Sequence, residues 1–141
     1  MNEVILAKYG ELILKGSNRS SFEAMLLREV RRRAKPLGAF TVAYRQSTVY
    51  VIPEDDDARD HIDAMLDEMK HVFGFAGLCR AAECEKTLDA ILDTARNYLP
   101  PFLEDAKTFR CEAKRSDKRF PMKSPELAGE VGGAILELCP H

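Results

Sequence analysis

The sequence predicts an α+β protein built as two consecutive units. Three observations carry that expectation. Short runs with an apolar or β-branched period of two alternate with stretches whose apolar residues recur every three to four positions. Over the first 80 residues the order of these stretches is β-α-β-β-α-β. A second series, helix-strand-helix, then starts at Thr87.

Each element has its own signal. Val4 to Tyr9 is a short apolar run closed by Gly10, which reads as a buried strand. Ser20 with Glu23 three residues on is a capping-box pattern, and Phe22, Met25, Leu26 and Val30 follow at helical spacing as far as Pro36. Arg28, Arg31, Arg32 and Arg33 extend the polar side of that helix, and Leu37 and Gly38 form its exit. Phe40, Val42 and Tyr44 alternate with Thr41, Ala43 and Arg45, and a β-branched run from Thr48 to Ile52 follows, so the two read as a hairpin. Pro53 ends its second strand. One helix is predicted from about Asp56 to Met69, with Ile62, Met65, Leu66 and Met69 on one face and acids crowding its first turn. Phe73 to Cys84 supplies the last strand-like run.

A hairpin between two helix-strand connections is the ferredoxin-like pattern, so residues 1–80 form a self-contained unit. In residues 81–141, Leu88, Ile91, Leu92, Ala95 and Leu99 line a helix expected to stop at Pro100 and Pro101. Phe109, Cys111 and Ala113 alternate with Arg110, Glu112 and Lys114, which predicts a strand with one wet face. Ser124 reads as an N-cap with Pro125 at the first helical position, and Leu127, Val131, Ala134, Ile135 and Leu138 continue that helix. One helix-strand-helix cannot close a sheet, so this α/β unit is expected to be incomplete.

Composition narrows the function. The chain has 141 residues, is 45% hydrophobic and 31% charged, and holds no apolar run near the roughly 20 residues that span a bilayer. The start has neither the basic region nor the long apolar region of a signal peptide, so a cytoplasmic, membrane-free protein is expected. Cys79, Cys84, Cys111 and Cys139 match neither a redox pair nor a zinc ribbon and are read as reduced, partly buried thiols. No nucleotide-binding glycine loop, zinc-protease motif or cysteine-histidine pair occurs, and the carboxylates of residues 54–68 are spread around a helix. No catalytic residue, metal site or cofactor is therefore expected in this segment.

The charge distribution says more. Net charge is −2, yet residues 107–123 hold seven Lys/Arg against Glu112 and Asp117, a local +5. The remainder carries −7, much of it in residues 54–68. Lys114, Arg115, Lys118, Arg119 and Lys123 precede a helix start, whose unpaired N–H groups and dipole favour anions. Phe120 offers a ring on which an unpaired base can stack, and Pro121 and Pro125 stiffen the loop. Gly129, Gly132 and Gly133 weaken the helix and suit a close approach to a strand. The alternative is a solvated basic loop with Phe120 packed beneath it. Charge alone does not decide between them.

The stretch CEAKRSDKRFPMKSPELAGEVGGAI resembles the signature of the THUMP domain, an RNA-binding module of tRNA-modifying enzymes. VILAKYGELILKGSNRSSF resembles the segment that precedes THUMP in the tRNA 4-thiouridine synthase family, tRNA sulfurtransferases also linked to thiamine biosynthesis. The resemblance covers essentially the whole chain. It implies that Lys114, Arg115, Lys118, Arg119, Phe120, Lys123 and Ser124 contact the tRNA acceptor end, with Lys15, Asn18 and Arg19 in support. It also implies that a PP-loop domain, using ATP and Mg, adenylates uridine 8, and that a cysteine desulfurase donates persulfide sulfur. The S-G-G-x-D-S loop of that domain is absent here, as are the THUMP strands expected after Pro140. A fragment of the enzyme is therefore expected, without activity of its own, and its open edge makes a homodimer a candidate assembly.

Two other readings compete. The same module serves tRNA methyltransferases and deaminases, against which YGELILKGSNR argues. A ferredoxin-like protein-interaction or regulatory domain would share the fold pattern, and fold does not determine function.

Overall fold

The computed structural model describes residues 2–9, 19–45, 48–72, 74–114 and 119–138. The chain divides into two compact units, Asn2–Ala81 and Ala82–His141.

The first unit contains β1 (Asn2–Tyr9), α1 (Arg19–Ala34), β2 (Phe40–Arg45), β3 (Thr48–Pro53), α2 (Asp56–Asp60), α3 (Ile62–Met69) and β4 (Phe75–Glu83). The four strands form one sheet in the order β2-β3-β1-β4. β3 pairs antiparallel with β2, Val42 opposite Val51, and with β1, Ile5 opposite Val51 and Ala7 opposite Val49. Period-two alternation sends Ile5, Ala7, Tyr9, Val42, Val49 and Val51 to one face, where Leu26, Val30 and Ala34 of α1 and Ile62, Met65 and Met69 of α3 cover them. Met65 and Met69 are fully buried, and each such side chain stabilises the fold by about 1.5–3 kcal/mol.

Several local expectations shift. α1 begins at Arg19, so Ser20 lies inside the helix instead of capping it. Its buried stripe runs through Leu26, Val30 and Ala34, which leaves Met25 54% exposed on another side. The helix expected over Asp56–Met69 is broken at His61 (φ −103°, ψ 14°). There the imidazole Nδ1 lies 2.7 Å from the Asp57 carbonyl, and the backbone N–H donates to Ala58 O. The ring thereby takes the acceptor that an unbroken helix would give to the backbone. Asp55 caps α2, its carboxylate accepting from the Ala58 N–H at 2.8 Å. Gly38 is left-handed (φ 141°), and a Cβ there would stand 3.0 Å from Ala58 Cα, so glycine is required for the exit from α1. Cys79 and Cys84 are exposed free thiols, because they sit on the edge strand and just beyond it.

Ion pairs tie the helices together. Glu29 accepts from Arg32 (2.5 Å) and Arg33 (2.9 Å), while Arg33 also reaches Glu68 of α3 at 2.6 Å. Arg80 on β4 donates to Glu3 on β1 and to Asp63 on α3.

The second unit contains α4 (Leu88–Tyr98), the one-turn helix α5 (Pro100–Leu103) and α6 (Ser124–Leu138). Thr87 caps α4 by accepting from the Ala90 N–H at 3.1 Å. Pro100 and Pro101 do not end helical structure; they open α5, where a missing N–H costs nothing. α4 packs on α6, and Ala95, Ala134 and Ile135 are its buried apolar residues among those described. Leu138 is exposed instead of joining the apolar stripe. The strand expected at Phe109–Ala113 forms no ladder among the described residues, although its alternation survives: Phe109, Cys111 and Ala113 are half-buried, and Arg110, Glu112 and Lys114 exposed. A ladder needs a partner strand, which alternation cannot supply.

Two outcomes follow from this packing. Hydrogen exchange should be slowest at Val49–Val51 and in α3, and faster throughout residues 88–138, where fewer side chains are buried. Equal protection in both units would contradict the difference in their cores. Glu29 is drawn from its ordinary 4.5 to about 2, chiefly by the Arg32 hydrogen bond, with Arg33 adding and partial desolvation opposing. A lowered carboxylate contributes stability that is complete above 4.5 and lost as pH falls toward about 2. A side-chain carboxyl titration by NMR should place Glu29 near the lower value, and a midpoint near the ordinary one would remove the Arg32–Glu29–Arg33 network.

Candidate nucleic-acid interface

The cationic segment precedes α6 in the chain. Lys114 is exposed at the end of residues 108–114, Arg119 is exposed in a turn, and Phe120 beside it is half-buried. Both Arg119 and Phe120 hold contacts with neighbouring groups. Lys123 is exposed and Ser124 half-buried at the helix start. The Leu127 N–H donates to the Lys123 carbonyl at 3.0 Å, which makes Lys123, and not Ser124, the capping residue. Ser124 and Pro125 then occupy the first two helical positions. Pro125 has no N–H to leave unpaired, so the shift by one costs nothing.

Arg115 and Lys118 lie outside the described residues, as do Lys15 and Asn18. Arg19 opens α1 in the first unit, and its side chain also lies outside them. The described geometry therefore gathers Arg119, Phe120, Lys123 and Ser124 at one helix start, with Lys114 at the end of residues 108–114.

The electrostatics favour an anion here. Glu112 is held by Arg110, Nε to Oε1 3.1 Å, so it does not neutralise the cations downstream. Lys114 and Lys123 have no ion-pair partner among the described residues. Glu126 is the acid in the first turn of α6. An exposed group of cations beside a half-buried ring and a helix N-terminus can hold phosphates and stack an unpaired base.

One feature the sequence reasoning missed is a cleft of about 330 Å³ lined by Lys107, Thr108, Phe109, Cys111, Gly132 and Leu136. Its signal was the pairing of a glycine on α6 with the inward side of the alternating segment. Gly132 is the glycine that approaches that segment, a Cβ there standing 3.6 Å from Cys111 Cβ. Gly129 and Gly133 face open space, so close packing does not explain them.

Among the described residues, no group of three or more His, Cys, Asp or Glu could hold a metal ion. The acids near α2 are engaged singly, Asp55 as a cap and Asp56 with Arg59. Among the described residues no helix is long and apolar enough to cross a membrane.

A four-stranded ferredoxin-like unit followed by a helical unit with a cationic helix start defines a two-domain α+β chain of a recognisable class. Residues 4–79 match the family model of the ThiI ferredoxin-like domain, and residues 85–141 match the THUMP domain. The chain belongs to the family defined by the ThiI ferredoxin-like domain. It is 40% identical over 139 residues to a probable tRNA sulfurtransferase of Alkaliphilus metalliredigens, and 33% identical over 143 residues to one of Acetivibrio thermocellus. These alignments cover 97% and 100% of the chain but 34% and 36% of the relatives, so the chain spans about a third of their length. Among solved structures, a 4-thiouridine synthetase–RNA complex with bound ATP superposes with a TM-score of 0.76 at 24% identity, over 98% of this chain and 34% of that one. A protein of Pyrococcus horikoshii gives the same TM-score at 26% identity, over 97% of this chain and 45% of that one.

Substituting Gly133→Ala should raise the melting temperature, because an exposed mid-helix glycine with open surroundings costs roughly 0.5–1 kcal/mol relative to alanine. A lowered melting temperature would show that the position is not open.

Proposed function

We propose that this chain is the tRNA-docking portion of an ATP-dependent tRNA uridine 4-sulfurtransferase, divided into a ferredoxin-like domain (1–80) and a THUMP domain (81–141). Its docking surface is the cationic loop and helix start, with Lys114, Arg115, Lys118, Arg119, Lys123 and Ser124 meeting backbone phosphates of the acceptor end. Phe120 gives an unpaired 3′ nucleotide a stacking surface. Lys15, Asn18 and Arg19 support the same RNA. The observation that carries this reading is the pair of exposed lysines, Lys114 and Lys123, flanking a turn at the start of α6 in a chain of net charge −2. The chain's similarity to probable tRNA sulfurtransferases supports it.

The chemistry belongs to regions of the relatives beyond the alignment. There a PP-loop domain would use ATP and Mg to activate uridine 8, and sulfur would come from a cysteine desulfurase, with thiamine biosynthesis as a second destination. This chain's residues contribute affinity and orientation. A cytoplasmic setting agrees with a tRNA substrate.

Binding of tRNA should weaken as salt rises, because phosphate contacts release counterions. With about three phosphates engaged on a single-stranded end, the slope of log affinity against log salt should be roughly −2. Replacing both Lys114 and Lys123 by alanine should reduce the slope to roughly −0.7. The melting temperature should hardly move, since exposed charges contribute little to folding. An unchanged slope in a folded double variant would remove these lysines from the interface.

A further inference from the structure

In the first unit α1 and α3 cover one face of the sheet, and strand register fixes what the other face carries. Lys8, Thr48 and Arg45 stand in one row across β1, β3 and β2, and Leu6, Tyr50 and Ala43 stand in the next. All six alternate with the buried residues, so they point away from the two helices. Lys8 and Arg45 are exposed, and Thr48 and Tyr50 are half-buried. Neither cation has an ion-pair partner among the described residues. The outward positions Leu6, Lys8, Thr41, Ala43, Arg45, Thr48, Tyr50 and Ile52 include no acid, in a chain of net charge −2.

The spacing suits a nucleotide. Neighbouring strands lie about 4.8 Å apart, which sets the Lys8 and Arg45 backbones roughly 10 Å apart on either side of Thr48. The Tyr50 row lies about 7 Å further along the strands. A ring is thus bordered by two cations and a hydroxyl. Arg45 Cζ lies 5.6 Å from the centre of the Tyr50 ring, near the outer limit of about 6 Å for such a contact. So loose a cover yields to a flat group that stacks more closely. Arg45 is then free to turn to a phosphate or to lie on the other side of the base.

Charge alone would fit any polyanion, but the ring restricts the choice. Bases in a duplex are already stacked on each other and offer no free face, whereas unpaired bases do. Open faces of four-stranded sheets bind unpaired RNA through aromatic side chains in this way. We infer that the outward face of β1–β3 is a second RNA contact, with Tyr50 stacking one unpaired base and Lys8 and Arg45 holding the phosphates beside it. It rests on the reading of this chain as an RNA-docking unit. The unpaired 3′ nucleotide is assigned to Phe120, so the sheet takes a different unpaired segment, one that an acceptor-stem hairpin lacks.

Titration of the 141-residue chain with a short oligouridine, followed by amide shifts in the NMR spectrum, tests the site. Lys8, Arg45, Thr48 and Tyr50 should shift, and should still do so when Lys114 and Lys123 are both alanine. Tyr50→Val should weaken binding, read on Arg45 and Thr48, by about tenfold, the size of one lost stacking contact. Tyr50→Phe should leave it unchanged. Lys8→Gln together with Arg45→Gln should reduce the salt slope of this site by roughly 1.4, for two phosphates of a single strand. Circular dichroism establishes that each variant is folded. Inorganic polyphosphate, which has no bases, should bind equally well to wild type and Tyr50→Val. No shifts at Lys8, Arg45 and Thr48 at low salt would overturn the proposal, and so would oligouridine affinity unchanged in folded Tyr50→Val. Docking at α6 stands in either case if an acceptor-stem hairpin still shifts Lys114 and Lys123. Shifts on the sheet with none at α6 would remove the docking reading and leave this contact.

Discussion

The first unit depends on the pairing of β1 with β3. Ile5 opposite Val51 and Ala7 opposite Val49 place four fully buried side chains at the centre of the sheet. A slip of one residue would turn Ile5, Ala7 and Tyr9 to the other face and leave α1 and α3 nothing to cover. With that register set, β2 joins on one side through the hairpin and β4 on the other, where Arg80 clasps Glu3. Tyr44, Tyr9 and Phe75 then stack at one end of the sheet, with centroids 5.6 and 6.2 Å apart. Such rings add to the burial that holds the strands in place.

The second unit has a smaller organising contact, α4 against α6 around Ala95, Ala134 and Ile135. Its importance is positional. Ala134 and Ile135 hold the C-terminal half of α6, and its opposite end carries Lys123, Ser124 and the end of the cationic loop. A polyanion gains from such an arrangement twice, through the side-chain cations and through the helix terminus. The acids of α2 and α3 belong to the first unit, and the +5 of residues 107–123 to the second.

What could be read in advance divides by physical cause. The strands of the first unit were legible because a sheet covered on one face forces period two on Phe40–Arg45 and Thr48–Pro53. The break at His61 was not, because it rests on a ring nitrogen reaching a carbonyl four residues back, and periodicity continues across it. Helix starts were displaced, by two residues at Ser20 and by one at Ser124, where the Lys123 carbonyl accepts the first bond. The alternation at Phe109–Ala113 was legible, but it did not tell that the segment joins no ladder among the described residues. Of the candidate site, the charges and Phe120 were plain in the residue order. The cleft beside Gly132 was hidden because its walls come from segments more than twenty positions apart.

The RNA-docking role is tested most directly by following amide shifts in the NMR spectrum while a tRNA acceptor-stem hairpin with an unpaired 3′ end is added. Changes should concentrate at Lys114 and from Arg119 to Leu127, with little effect on α2, α3 or the centre of the sheet. Shifts confined to the first unit, or no shifts at low salt, would contradict docking at the start of α6.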